Sequence, residues 1–163
     1  MILMCDIDGC VADVRDVIKK YLQGKSDWDE YFKHQGECLP IPWIIDLVKL
    51  CLAKGYEVIF FTGRPERVQD DTIAFLQSNV TKYNARLLMR PDNYKGPTQN
   101  LKIKWFSKYK PYLIIEDDPA VVKIAVAAGF RVLQVHGYRY NSMRDYKPGD
   151  FVPLCEMENE QEK

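Results

Sequence analysis

Short apolar runs alternate with amphipathic stretches along most of the chain. Residues 2–7 and 57–61 are rich in apolar, β-branched and aromatic side chains, which predicts two buried strands. Residues 11–22 and 41–53 instead repeat apolar side chains at helical spacing, and Gly55 follows the second stretch as a stop signal. The alternation continues with predicted helices at residues 66–76, 100–109 and 120–128 and predicted strands at residues 85–89, 112–115 and 131–135.

Strands that alternate with helices indicate a parallel sheet with helices on both faces. We therefore predict an α/β protein of three layers with a Rossmann-like central sheet. A chain of 163 residues is long enough for one such domain, which we place at residues 1–150. Residues 151–163, whose end is acidic, form a predicted polar C-terminal tail.

Charge and cysteine content narrow the class of protein. Lysine plus arginine and aspartate plus glutamate both count 23, so the formal net charge is zero. This balance argues against a protein that coats polyanions, but it permits a local basic groove. The five cysteines form no CxxC pair, which indicates reduced thiols, and no apolar stretch is long enough to span a membrane. We expect a cytoplasmic protein with no membrane partner.

Three of the predicted strands end in polar residues. The sequence DIDG at residues 6–9 follows the first strand, TGR at residues 62–64 follows the second, and EDD at residues 116–118 follows the fourth. In a parallel α/β sheet the carboxyl ends of the strands meet at one edge, where ligands bind. We expect these three segments to form one site.

The carboxylates of this site predict a metal ion. Asp6 and Asp8 lie two residues apart, so on an extended strand both face the same side. Two carboxylates about 4 Å apart repel by roughly 4 kcal/mol at an effective dielectric of 20. Asp117 and Asp118 add negative charge, and a cation resolves the repulsion. Oxygen ligands and the near absence of histidine favour Mg²⁺, bound together with waters and a substrate phosphate.

Other polar residues at this edge suit a phosphate. Thr62 offers a hydroxyl, Gly63 a backbone amide and Arg64 a pair of parallel donors. Lys102 or Lys104 supplies a cation that orients the carboxylates and the phosphoryl group. The set predicts a carboxylate nucleophile, a second carboxyl for acid–base chemistry, a metal ion and donors for the transferred oxygens.

In their order along the chain, these motifs resemble the haloacid dehalogenase (HAD) superfamily of phosphatases, over roughly residues 1–135. The resemblance implies that Asp6 attacks phosphorus and becomes an aspartyl phosphate. It implies that Asp8 protonates the leaving oxygen and then activates water, while Thr62 and Lys102 hold the phosphoryl group. The implied metal ligands are Asp6, the backbone carbonyl of Asp8, and Asp117, with Asp118 either a ligand through water or only a nearby acceptor.

A closer similarity is to the phosphatase half of bacteriophage polynucleotide kinase-phosphatase and its stand-alone phage and bacterial relatives. It rests on the TGR motif at residues 62–64, on Trp105 three residues after Lys102, and on IEDD at residues 115–118. Members of that group commonly carry arginine after the paired aspartates, where this chain has Pro119. The resemblance also implies that the protein comes from a bacterium or a phage-infected host.

The sequence GKS at residues 24–26 resembles the end of a P-loop. Lys19 stands where the P-loop requires a glycine, and no predicted strand precedes the motif. We therefore expect no kinase domain in this chain.

Residues 14–39 are too short for the cap domain that often selects substrates in this superfamily. They hold one predicted helix and the aromatic residues Trp28, Tyr31 and Phe32, which predicts a capless fold or a minimal helical flap. An open site suits an extended substrate, and aromatic faces can stack a base. The tyrosines and basic residues at 138–147 can also contact a nucleic-acid strand.

We therefore predict a Mg²⁺-dependent phosphomonoesterase that acts on polynucleotide 3′-phosphate ends. A 5′(3′)-nucleotidase acting on mononucleotides is the alternative. A second alternative is a response-regulator receiver domain, which also gathers acids, threonine and lysine around Mg²⁺, but with the paired acids first in the chain. A catalytically idle scaffold is disfavoured because no expected site residue is missing.

Overall fold

The computed structural model describes residues 1–22, 28–81 and 85–138. The elements follow one another in the alternating pattern that the sequence predicts, with two short strands and one short helix (Trp28–Lys33) in addition. In chain order they are β1 (Ile2–Asp6), β2 (Ala12–Asp13), α1 (Arg15–Tyr21), α2 (Trp28–Lys33), β3 (Leu39–Pro40), α3 (Pro42–Ala53), β4 (Glu57–Pro65), α4 (Gln69–Asn79), β5 (Arg86–Arg90), α5 (Thr98–Tyr109), β6 (Leu113–Glu116), α6 (Pro119–Ala127) and β7 (Val132–Gln134).

The central sheet has five parallel strands in the order β5-β4-β1-β6-β7. Numbered along the chain, this order is 3-2-1-4-5, as in the Rossmann fold, and the predicted α/β class is confirmed. Response-regulator receivers have the order 2-1-3-4-5. The sheet therefore contradicts the receiver alternative.

Helices cover both faces of the sheet, because side chains of each strand alternate between two cores. Leu3 and Cys5 of β1 pack into the core under α1, α3 and α4. Met4 packs with Phe106 of α5 into the core under α5 and α6. The three-layer arrangement follows from this alternation.

The segment after β1 differs from its predicted helix at residues 11–22. The carbonyl oxygen of Ile7 accepts backbone hydrogen bonds from residues 10, 11 and 12 (3.2, 3.0 and 2.9 Å), which fixes a tight loop. Next, β2 pairs with β3 in an antiparallel ribbon. Only then does α1 begin, where the Asp13 carboxylate accepts hydrogen bonds from the backbone N–H and the guanidinium of Arg15. Apolar residues continue at helical spacing through this loop, so the sequence pattern does not distinguish it from the helix.

Two short helices, α1 and α2, lie between β2 and β3; we call residues 14–38 the flap. Tyr31 and Phe32 of α2 are buried, whereas Trp28 is 51% exposed. A 3₁₀ turn at Glu66–Val68 precedes α4, so that helix begins later than the sequence predicts.

Some predictions concern residues outside the described ranges. These are the GKS sequence at 24–26, the basic and aromatic residues at 139–147, and the tail at 151–163. Among the described helices, none has the length and hydropathy needed to cross a membrane.

Candidate active site

The three polar segments meet at one edge of the sheet, where β1, β4 and β6 end side by side. The order of strands reverses between β1 and β6, and such switch points are where parallel α/β sheets bind ligands. A cleft of about 670 Å³ opens here, and its lining includes Asp6, Asp8, Asp117 and Asp118.

Gly9 allows the two ends of this site to approach each other. Its φ of +79° lies in the left-handed region that favours glycine. A Cβ atom at this position would lie 2.3 Å from Oδ2 of Asp117, which is far inside van der Waals contact. The loop after β1 and the loop after β6 therefore touch at a point where only glycine fits.

Lys102 is the lysine of the site. Its side chain is buried on α5, and Nζ donates to Oδ2 of Asp6 at 2.9 Å. Lys104, the other candidate from the sequence, is exposed. Two residues apart on a helix, the two side chains point in different directions.

Glu116 is a site residue that the sequence analysis did not single out for a role. Its buried carboxylate accepts two hydrogen bonds from Lys102 Nζ, at 3.1 and 2.9 Å. The same carboxylate accepts from the backbone N–H groups of Asp117 (3.1 Å) and Asp118 (3.0 Å). It thus holds both the lysine and the acidic loop. The available signal is a carboxylate at the end of an apolar strand, directly before the paired aspartates.

The buried charges leave an excess of negative charge around Asp6. Burial and the Glu116 carboxylate raise the pKa of Asp6 well above its usual value, although Lys102 opposes the shift. Burial lowers the pKa of Lys102, but Asp6 and Glu116 outweigh it and raise that pKa well above its usual value. Lys102 therefore stays charged, and a single cation is shared between two carboxylates.

A metal ion fits beside Asp6. Among the residues that the structure describes, Oδ1 of Asp6 has no hydrogen-bond partner although it is buried. Oxygens of Asp6 and Asp117 lie with Cys10 Sγ within 4.8 Å of one another. Burial and the Asp117 carboxylate raise the pKa of Cys10 well above its usual value, so it stays a neutral thiol. The two carboxylates are the donors that suit Mg²⁺.

Asp118 lies at the same cleft but has a structural contact. Its Oδ1 accepts a hydrogen bond from the backbone N–H of Ala120 at 2.9 Å and caps α6. Pro119 occupies the first position of that helix, where its missing N–H costs nothing.

The side chain of Asp8 is held by Arg64 and Thr62. Arg64 donates to Asp8 from Nε at 3.0 Å and from Nη2 at 2.6 Å. The hydroxyl of Thr62 donates to Asp8 Oδ2 at 3.4 Å and accepts from the backbone N–H of Arg64 at 3.1 Å. Asp8 remains 25% exposed and lines the cleft. Its carboxylate is thus held in one orientation facing the cleft.

Arg64 therefore has a different partner from the one predicted. The sequence analysis expects its guanidinium to bind a phosphate, but the side chain is fully buried. It also donates from Nη1 to the hydroxyl of Thr72 at 3.3 Å, on the core side of α4. The contacts of Arg64 point to a role in orienting Asp8.

Four further residues of the cleft complete its walls. Gly63 lines it as predicted, packed so closely that an added Cβ would lie 3.1 Å from Thr98. Arg67, Arg90 and Thr98 also line it and were not singled out from the sequence. They follow β4, end β5 and begin α5, positions that become neighbours only when the order of the strands is known.

The chain matches the family of the polynucleotide kinase PNKP phosphatase domain (HAD_PNKP) over residues 1–140. No match to a curated protein sequence is significant.

Solved structures share the fold at low sequence identity. A chain of the Pnkp1/Rnl/Hen1 complex is 21% identical with a TM-score of 0.67, over 82% of this chain and 45% of that one. This chain thus spans less than half of that relative's length. The class C acid phosphatase from Bacillus anthracis with tungstate bound is 15% identical with a TM-score of 0.62, over 98% and 77% of the two chains. A HAD hydrolase from Entamoeba histolytica is 12% identical with a TM-score of 0.57, over 96% and 97%.

Proposed function

The chain belongs to the family of polynucleotide kinase PNKP phosphatase domains, and from this premise we propose that it removes 3′-phosphates from polynucleotide ends. The proposed reaction depends on Mg²⁺ and passes through an aspartyl phosphate on Asp6. It extends the coarser assignment, a HAD-type phosphatase.

One observation carries the proposal: the environment of Asp6. This carboxylate is buried at the floor of an open cleft, with Lys102 on Oδ2 and with Oδ1 unpaired among the described residues. A buried carboxylate is costly unless it is paired, so an unpaired oxygen at a ligand cleft marks a functional group.

The metal proposal assigns Asp6 and Asp117 as side-chain ligands, with the backbone carbonyl of Asp8 and Asp118 as further candidates. When bound, Mg²⁺ supplies positive charge that lowers the repulsion between these carboxylates and an incoming phosphate.

In the first step, an oxygen of Asp6 attacks phosphorus while the bond from phosphorus to the 3′ oxygen breaks. Lys102 holds the Asp6 carboxylate in place and favours its ionised form, the form that attacks. Asp8 gives a proton to the leaving 3′ oxygen, which departs as a hydroxyl. The backbone amide of Gly63 donates to the phosphoryl oxygens, and the Thr62 hydroxyl, which donates to Asp8 before the substrate binds, redirects its hydrogen to them.

In the second step, a water oxygen attacks the phosphorus of the aspartyl phosphate. Asp8, now ionised and held by Arg64, takes a proton from this water. The bond between phosphorus and Asp6 breaks, inorganic phosphate leaves, and the carboxylates return to their starting state.

The shape of the cleft supports a nucleic-acid end as the substrate. Described residues of the flap line the cleft, and Trp28 stands half-exposed among them, where its ring can stack a base. A cleft of about 670 Å³ also lies within the range of sites that bind small molecules. For this reason, a nucleotidase remains the second candidate.

Phosphate release from matched substrates tests the proposal. The panel holds one DNA strand with a 3′-phosphate, the same strand with a 5′-phosphate, and 3′- and 5′-mononucleotides, each with Mg²⁺ and with chelator. We expect Mg²⁺-dependent release mainly from the 3′-phosphorylated strand, and none from Asp6→Asn. Release mainly from mononucleotides would make the protein a nucleotidase. Phosphate release at the same rate with chelator would contradict the proposed dependence on Mg²⁺.

A further inference from the structure

The cleft contains cations that the proposed chemistry does not use. Of the described residues that line it, three are basic: Lys102, Arg67 and Arg90. Lys102 is held by Asp6 and Glu116 beneath the reacting atoms. The two arginines lie on the wall formed by the ends of β4 and β5.

Arg67 connects the flap to the body of the domain. Its guanidinium pairs with Asp92 at 3.1 Å, and on the other side with Asp29 of α2. The side chain of Asp29 is 77% exposed, and Arg67 is 42% exposed. Exposed ion pairs are weak, so an anion with better geometry can displace Asp29.

Arg90 is held in position by a backbone group of the active site. Its Nε donates to the carbonyl oxygen of Gly63 at 2.9 Å, so this hydrogen bond does not use the two Nη groups. Among the described residues, Arg90 has no carboxylate partner within ion-pair distance. Since the guanidinium group is always charged, this cation is available to an anion in the cleft.

The two arginines lie against the same aromatic ring. The guanidinium carbons of Arg67 and Arg90 lie 5.7 and 5.8 Å from the centre of the Phe32 ring. Two cations thus lie beside Phe32 on the flap side of the cleft, and the Asp29 carboxylate pairs with one of them, Arg67.

We propose that Arg67 and Arg90 form a second anion subsite, which binds an uncleaved phosphate on the 5′ oxygen of the terminal nucleoside, and that Asp29 occupies it in the free protein. This inference rests on the proposed function, because it assumes that the cleaved 3′-phosphate lies at Asp6. A 3′-mononucleotide has no phosphate for the subsite, whereas a strand has its last phosphodiester there.

Four substrates that share the cleaved 3′-phosphate but differ at the 5′ oxygen test binding at this subsite separately from cleavage. They are a 3′-mononucleotide, a nucleoside 3′,5′-bisphosphate, a dinucleotide 3′-phosphate, and the same dinucleotide with a neutral methylphosphonate linkage. We expect kcat/KM for the dinucleotide to exceed that for the mononucleotide by about tenfold, the usual size of a charge-assisted contact. The methylphosphonate loses this gain, and the bisphosphate shows whether a 5′-phosphate monoester also binds.

Variants then assign the gain to the two arginines. Arg67→Gln and Arg90→Gln each lower the ratio of dinucleotide to mononucleotide kcat/KM toward one. Asp29→Asn raises the ratio, but only while Arg67 is present. Arg86→Gln is the matched control, because Arg86 lies at the opposite end of β5, is half-exposed and pairs with Glu57. Its ratio stays that of the wild type.

The outcomes separate the two claims. If the substrates are hydrolysed but neither arginine variant changes the ratio, or the methylphosphonate reacts as well as the phosphodiester, the subsite is wrong and the phosphatase proposal stands. If no member of the panel is hydrolysed, the proposed function fails and the subsite fails with it.

Discussion

At the scale of single residues, Gly9 allows the loop after β1 to approach the loop after β6. Two requirements meet there: a positive φ, and space for Oδ2 of Asp117. Gly55 has nearly the same φ, +80°, but nothing lies within 4 Å of an added Cβ. Substitutions at Gly9 and Gly55 therefore share the same backbone strain, but only the one at Gly9 also displaces a residue of the site.

Gly9→Ala should abolish phosphatase activity and weaken Mg²⁺ binding, because the new methyl group displaces Asp117. Gly55→Ala should lower the free energy of unfolding by about 1–2 kcal/mol through backbone strain alone and keep full activity. Enzyme assays, Mg²⁺ titration and urea unfolding of both variants check this. Equal activity in the two would show that the approach of Asp117 to Gly9 has no role in the site.

Arg64→Lys tests the role that the structure gives to Arg64. The lysine keeps a positive charge but loses the two-point hold on Asp8. We expect kcat to fall by about 10²-fold, the size of a general acid–base contribution, with little change in KM. Steady-state kinetics on the preferred substrate measure both. A raised KM with unchanged kcat would instead support the phosphate-binding role predicted from the sequence.

Arg64 and Glu116 show where residue-level prediction stops. The sequence places Asp6, Asp8, Lys102 and Asp117 at one edge, and the structure brings them together. The sequence alone cannot show which carboxylate pairs with which cation, because several of each lie at the same edge of the sheet. Pairing depends on burial and on side-chain direction, which the three-dimensional packing decides.

At the scale of elements, a polar cluster around Glu37 joins the first and last parts of the flap. The Glu37 carboxylate accepts hydrogen bonds from Tyr21 (2.7 Å) and Lys20 (3.0 Å), and His34 lies 2.8 Å away. The rings of Tyr21 and His34 are stacked at 3.7 Å. These contacts tie α1 to the 3₁₀ turn at Gln35–Glu37 that follows α2.

Glu37→Gln should lose stability only where Glu37 is ionised in the folded protein. The hydrogen bonds from Tyr21 and Lys20 lower the pKa of Glu37 from 4.5 to about 2. Its contribution is therefore fully present above pH 4.5 and is lost as the pH falls toward 2. Melting temperatures of the wild type and the variant should differ at pH 6 and converge at lower pH.

Glu66→Gln, at an exposed glutamate outside the flap, is the control for that series. A gap between wild type and Glu37→Gln that stays constant down to pH 3 would contradict the role of the ionised carboxylate.

The sequence predicts the large elements and misses the small ones. Every strand of the central sheet is long enough in the pattern to be recognised. The ribbon of β2 and β3 has two residues in each strand, and α1 starts only after β2. Such elements are fixed by tertiary hydrogen bonds and not by periodicity, so residues 11–13 looked like the start of a helix.

At the scale of the whole molecule, strand order decides where the chemistry lies. The sequence predicts alternation of strands and helices, but alternation permits both the 3-2-1-4-5 and the 2-1-3-4-5 order. The structure has the first order, which brings β6 beside β1 and so places Asp117 next to Asp6. Arg67 and Arg90 become neighbours for the same reason, because β4 and β5 are adjacent.

Covalent phosphorylation of Asp6 is the central claim. The most direct measurement quenches the first turnover in acid with a ³²P-labelled 3′-phosphorylated strand and maps the labelled peptide. We predict a hydroxylamine-sensitive label on the peptide that contains Asp6, absent with chelator and absent in Asp6→Asn. A label on another residue, or phosphate release by Asp6→Asn at the wild-type rate, would contradict the account.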